Sequence, residues 1–140
     1  MTSQSLSVTI HLALLNTFDF GVSIMDDRFL QQLKKGVLEM LVLEIVCKGS
    51  TYGYELLTRL KEQSDELFAL KEGTLYPILY RLEDDGMIQS SWSQGEGRVA
   101  PKKMYSATEK GYRERHRRWQ VWGTFSSTVN GFYQEGDGVQ

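Results

Sequence analysis

Apolar residues recur at helical spacing from position 29 onward: Phe29, Leu30, Leu33, Val37, Leu38, Leu41 and Ile45 fall on one stripe. Cys47, Lys48 and Gly49 close it with a thiol, a cation suited to a helix C-terminus and a residue that stops helices. The spacing predicts a first helix over about 27–48. Thr51 stands where an N-cap belongs and Glu55 lies in the following turn. Tyr52, Leu56, Leu57 and Leu60 form the apolar face of a second helix ending near Gln63. Residues 67–70 read as an extended linker. Leu75, Ile78, Leu79 and Leu82 then make a third stripe, which Gly86 ends. Pro77 inside it opposes the carbonyl of Gly73, four residues back, where a glycine leaves room, so a mild bend is expected and not a break.

The period then changes. Residues 87–92 (MIQSSW) and 102–106 (KKMYS) are short and partly alternating, and SQGEGRVAP between them holds two glycines, a proline and an arginine. That is the pattern of a hairpin with a basic tip. Thr108 caps a long final helix over about 109–133, with Tyr112, Trp119, Trp122, Phe125, Val129 and Phe132 mostly on one side. The polar, glycine-rich EGDGVQ after it reads as a flexible tail, residues 135–140.

Helix, helix, helix, hairpin, long helix is the order of a winged helix-turn-helix with an appended helix, a mainly α fold with a small β-hairpin wing. In that arrangement the second helix braces the third, which enters the major groove, while the wing tip reaches the neighbouring backbone or minor groove. With four aliphatic side chains turned inward, the third helix presents Thr74, Tyr76, Pro77, Tyr80 and Arg81 outward. Tyrosine hydroxyls bind phosphate, and arginine forks onto guanine. The competing reading makes the two tyrosines covers for the edge of the core.

Composition sets the class: 140 residues, 41% hydrophobic and 24% charged, suit one globular domain of ordinary cytoplasmic type. One cysteine excludes an internal disulfide, and His11 and His116 are too few for a His/Cys metal site. No metal or cofactor is therefore expected. No apolar run long enough for a membrane helix occurs. Val8 to Phe20 is interrupted by His11, Asn16 and Asp19 and lacks a basic lead-in, which argues against a signal peptide. Met25 opens a charged stretch that reads like a protein start. Residues 1–24 are thus either an upstream extension or a segment that packs onto a partner.

A net charge of −2 argues mildly against a nucleic-acid partner, but its distribution is uneven. Between Arg98 and Arg118 stand eight Lys or Arg against two Glu, with an acidic remainder. Such a chain can hold a polyanion on one face; a solvated basic helix end is the plainer alternative.

TYGYELLTRL (51–60), EGTLYPILYRLEDDGMI (72–88) and GEGRVAPKKMYSATEKG (95–111) resemble the three signature segments of the PadR family of bacterial transcriptional regulators. The resemblance runs from about Phe29 to Phe132. Because one long helix follows the wing, the chain is similar to the smaller PadR subfamily. The resemblance implies a winged helix-turn-helix over 25–107 and a dimerisation helix over 108–134. It further implies a homodimeric repressor of double-stranded DNA, released by a small aromatic or cationic molecule. The candidate DNA-binding residues are Lys34, Lys35, Tyr52, Thr74, Tyr76, Pro77, Tyr80, Arg81, Arg98, Lys102 and Lys103. Those at the dimer contact would be Phe29, Leu33, Val37, Trp119, Trp122, Phe125, Val129 and Phe132. Lys71 departs from the usual helix-capping residue, and Met104 and Ala107 replace larger wing residues, which would loosen the wing without abolishing it.

Trp119 and Trp122, three apart on one helix, are expected to need a partner to cover them. In small-subfamily relatives a tryptophan matching Trp122 stacks on a planar aromatic ligand at the dimer centre, so both are candidate ligand residues. A packed dimer core without ligand is the other reading. Asp26, Asp27 and Glu114 are the acids that would favour a cation there. No nucleophile elbow, Walker loop or dinucleotide fingerprint is present, and Cys47 reads as core filler, so no catalytic residue is expected. A winged-helix module that binds protein and not DNA is the alternative function.

Overall fold

The computed structural model describes residues 27–137, with side chains described through Tyr133. The expected extension over residues 1–24 lies outside them. The elements are α1 (Arg28–Lys48), β1 (Thr51–Tyr52), α2 (Gly53–Gln63), α3 (Glu72–Asp84), β2 (Ile88–Trp92), β3 (Lys103–Ala107) and α4 (Glu109–Asp137). The chain divides into two compact units, residues 1–35 and 36–140. In the first, the described residues are the opening of α1, where the Phe29 amide donates to Asp27 Oδ1 at 2.8 Å, an N-cap bond. The second holds the rest of α1 and every other element.

The core joins α1, α2, α3 and the sheet: Leu38, Val42, Leu43, Ile45 and Val46 meet Leu56, Leu60, Leu75, Ile78, Leu79, Leu82, Met87, Ile88 and Tyr105. The four aliphatic residues of α3 are all buried, as their spacing requires. On α1 the inward set differs from the expected stripe. Val42, Leu43 and Val46 are fully buried, whereas Phe29 and Leu33 are exposed. The segment MLVLEIV is apolar nearly all round, so its inward face cannot be read from a moment alone.

Thr51 corrects an expectation. It is a strand residue, fully buried and paired with Tyr105, and Tyr52 occupies the N-cap position of α2 without a side-chain cap. Its β-branched side chain suits the pleat. The hydroxyl donates to Glu55 Oε1 at 2.9 Å instead of capping an amide. The wing is therefore three-stranded and antiparallel, in the order β1-β3-β2, with Ser90 and Thr51 on either side of Tyr105. The stretch expected as an extended linker begins instead with a turn, in which Ser64 Oγ accepts from the Phe68 amide at 2.9 Å.

Helix α3 runs unbroken through Pro77 and stops at Gly86, whose φ of +75° is the left-handed conformation glycine adopts freely. Thr108 Oγ1 accepts from the Gly111 amide at 3.1 Å, the expected cap of α4. Helix α4 continues past Tyr133 to Asp137, so the tail expected from residue 135 is helical over its first three residues. Extending a formed helix costs far less than nucleating one, and polar composition alone does not end it.

Candidate nucleic-acid interface

On α3, Thr74, Tyr76, Pro77 and Tyr80 are exposed beside the buried stripe. Lys71 at the N-cap makes no side-chain cap, and the Thr74 and Leu75 amides bond its carbonyl at 3.0 and 3.2 Å. Tyr76, 47% exposed, lays its hydroxyl against the α carbon of Gly53 at the start of α2. A Cβ on Gly53 would lie 2.6 Å from that oxygen, so glycine is what lets the tyrosine lie there. Tyr52, the preceding residue, carries Lys102 Nζ 4.2 Å above its ring centroid, a cation–π contact that fixes the ammonium at the base of the wing. Lys103 Nζ lies 5.7 Å from the Tyr105 ring. Tyr76, lying over the buried Gly53, and Tyr52 with Lys102 above its ring thus stand close together between the third helix and the wing.

The wing is stiffened where it leaves the sheet. The Ser93 amide donates to the Lys102 carbonyl at 2.8 Å, and the Lys102 amide donates to Ser93 Oγ at 2.9 Å. Gly95 lies so close to the Val99 carbonyl that any side chain there would collide with it. Arg98 is exposed at the tip.

The other expected residues differ in exposure and in partners. Lys34 is buried, at 8% exposed, while Lys35 is exposed. A phosphate needs an ammonium at the surface, which removes Lys34 from the candidate set. Arg81 is turned toward α1, its Nε donating to Glu39 Oε1 at 3.3 Å. The basic stretch also divides. Arg115 pairs with Glu44, Arg117 and Arg118 pair with Glu114, and Lys110 Nζ donates to the Asp85 carbonyl at 2.5 Å. Among the described residues, Arg98, Lys102, Lys103 and Arg113 make no ion pair, so about half of the basic run is used inside the fold.

The two tryptophans diverge. Trp119 Nε1 donates to Glu44 Oε2 at 3.3 Å, and Arg115 grips the same carboxylate with two nitrogens. These bonds hold Glu44 below the usual carboxylate range, the Arg115 hydrogen bond most of all, against the opposing effect of burial. Trp122 instead lines a groove of about 410 Å³ with Val37, Glu39, Met40, Arg118 and Phe125. Its ring centroid is 6.4 Å from that of Phe125. Both indoles are 38% exposed, so each keeps surface that the described residues leave uncovered. Of the acids expected near a ligand, Asp27 caps α1, Asp26 lies outside the described residues, and Glu114 is engaged by arginines that hold its pKa at about 2. Glu39 lines the groove instead.

Sequence reasoning missed Glu39, Glu44 and Gly53. Glu44 pairs locally with Lys48, but the contacts of the two acids with Arg81, Arg115, Arg118 and Trp119 span distant segments, and a glycine at a helix start carries no special signal. Cys47, partly buried, has its thiol pKa raised chiefly by that burial, in keeping with core filler. Among the described residues no group of acids, histidines or cysteines could hold a metal ion, and no helix is long and apolar enough to cross a membrane.

The chain is similar to known proteins in sequence and in fold. The chain is 32% identical over 80 residues to the negative transcriptional regulator PadR of Bacillus subtilis, a match that takes in 57% of this chain and 43% of that protein. It therefore spans less than half of that regulator's length. A PadR-like transcriptional regulator from Bacillus cereus superposes with a TM-score of 0.64 at 34% identity, covering 74% of this chain and 97% of that one. A PadR family regulator from Eggerthella lenta gives 0.66 at 31% identity, covering 74% and 88%. The family model for PadR-like transcriptional regulators matches residues 42–117, from the core of α1 into α4. Its members regulate transcription and are not enzymes. With more than half of its length matched, the chain belongs to the PadR-like family of transcriptional regulators.

Proposed function

We propose that this protein represses transcription by binding an inverted repeat in double-stranded DNA as a homodimer, and that a small planar aromatic ligand releases it. The observation that carries the reading is the placing of Tyr76 over Gly53, beside Tyr52 and the Lys102 ammonium above its ring, which sets two tyrosines and a cation at the edge of a helix whose aliphatic side chains are all occupied by the core. Thr74, Pro77 and Tyr80 extend this group along α3, and Arg98 and Lys103 extend it along the wing. Lys35 is a further phosphate contact. The negative role follows that of the Bacillus subtilis relative, a negative transcriptional regulator. Dimerisation uses the apolar side of α4, where Val129 and Phe132 continue the line of Trp122 and Phe125. The groove beside Trp122 is of the size small-molecule sites have and is where the ligand binds. A regulator of this kind works on the chromosome, in the cytoplasm.

The test is to recover duplexes from a random pool with the full chain and measure their binding by fluorescence anisotropy against salt. Inverted repeats with half-sites about one helical turn apart are expected. Tyr76→Ala should cost about 1–3 kcal/mol of binding, and Lys102→Ala should weaken all sequences alike and reduce the salt slope by about 1. Recovery of no duplex would leave a winged-helix module that binds protein.

A further inference from the structure

Glu39 stands on α1, away from the surface proposed to meet DNA, yet it touches the third helix. Its Oε1 accepts from Arg81 Nε at 3.3 Å, and its Oε2 lies 3.5 Å from Arg118 Nη1 on α4. Arg118 is itself held on two further sides. Its Nε donates to Glu114 Oε1 at 3.1 Å, and its Nη2 lies 3.6 Å from the sulfur of Met87, just past the end of α3. The inner pair is sheltered, with Glu39 and Arg118 side chains 25% and 19% exposed, while Arg81 is 56% exposed.

This asymmetry gives the contact a direction. A guanidinium is a rigid planar fork, so fixing Nε leaves the two terminal nitrogens along the remaining edge. Among the described residues no acceptor engages those terminal nitrogens of Arg81. An ion pair so exposed on one side contributes little to folding. What it does supply is orientation, because Glu39 is anchored by Arg118 from behind and can set the plane of Arg81 in front.

We infer that Glu39 is a positioning residue: it aims the terminal nitrogens of Arg81 at an acceptor on the duplex, and Arg118 transmits the placement of α4 to that aim. The inference rests on the DNA-binding reading above. It also explains why Arg81 is both paired and exposed. The carboxylate occupies the nitrogen that a bidentate contact with guanine does not need.

The test uses the full chain and the tightest duplex that the wild type recovers from a random pool. Glu39→Gln, Arg81→Ala and the double variant are measured by anisotropy, with base preference read at every position of the site. Glu39→Gln is expected to weaken binding about three- to fivefold. It should flatten preference at the same symmetric pair of positions that Arg81→Ala flattens. In the Arg81→Ala background the added Glu39→Gln should change affinity by less than about 1.5-fold. An equal loss in both backgrounds, or a loss spread evenly over all positions, overturns the inference in favour of a merely structural role. A second measurement needs no DNA. Exchange of the Arg81 Nε proton with water, followed by NMR, should be slower in the wild type than in Glu39→Gln, and equal rates overturn the inference. If the wild type recovers no duplex while the exchange rates differ, the DNA-binding reading fails and the hold of Glu39 on Arg81 stands.

Discussion

Gly53 is the residue on which the proposed interface turns. A methyl group there would stand 2.6 Å from Tyr76 Oη and 3.2 Å from Cζ, and the nearest atoms belong to the free end of a side chain, not to backbone. The tyrosine would therefore move and the fold would persist. Gly53→Ala is expected to leave stability within about 1 kcal/mol of wild type, since alanine at a helix start reduces unfolded-state entropy. It should nevertheless lower DNA affinity by displacing the tyrosine, and lower it less in a Tyr76→Phe background. Thermal unfolding and anisotropy on the four proteins check this, and equal losses in both backgrounds would dissociate Gly53 from Tyr76. The outward position of Tyr76 was legible from the spacing of Leu75, Ile78, Leu79 and Leu82. Its neighbour was not, because the contact joins two helices and leaves no mark on local periodicity.

At the level of elements, the attachment of α4 matters most. Its first turn grips the end of α3: Thr108 Oγ1 donates to the Gly86 carbonyl at 2.6 Å, and Gly111 lies so close to the Met87 carbonyl that only a hydrogen fits in place of a side chain. Farther along, Glu44 of α1 holds Arg115 and Trp119. Glu44 and Glu114 both titrate below their ordinary value of 4.5, Glu114 at about 2, because arginines hydrogen-bond their ionised forms. A carboxylate whose folded pKa is depressed contributes stability that is complete above its unfolded pKa and lost as pH falls through the folded one. The hold of Glu44 on α4 should thus be intact at neutral pH and be lost as pH falls below the ordinary carboxylate value of 4.5. Trp119 fluorescence should follow that loss, and Glu44→Gln should remove most of its pH dependence. An unchanged titration in that variant would mean that Glu44 does not dock the helix. The long helix and its Thr108 cap could be read along the chain, whereas the docking of it by Glu44 could not, since Arg115 and Trp119 are far from that acid in sequence.

For the molecule as a whole, the described structure leaves a line of large apolar side chains uncovered on α4, including Phe125, Val129 and Phe132. The proposed homodimer would cover this surface, since exposed apolar patches of this kind are where proteins associate. Phe125→Asp is expected to convert a dimer into monomers in sedimentation velocity. Because each monomer then engages one half-site alone, affinity for the inverted repeat should fall by about 100-fold or more. An unchanged sedimentation coefficient would place the dimer contact elsewhere. The charge distribution also acts at this scale. With Arg115, Arg117 and Arg118 committed to Glu44 and Glu114, the cations of the basic run left without an ion pair include the three of the wing, Arg98, Lys102 and Lys103.

Read alone, the order of residues determined the three helices, the hairpin, the final helix, the buried side of α3 and the family segments, because periodicity, caps and glycine stops act over a few neighbouring positions. Tertiary structure decided which side of an almost wholly apolar α1 faces inward, that Thr51 and Tyr52 add a third strand, and that Trp119 and Trp122 take different partners. It also decided which cations remain free. These outcomes depend on contacts between residues distant in sequence, whose energies arise only once the chain has brought them together.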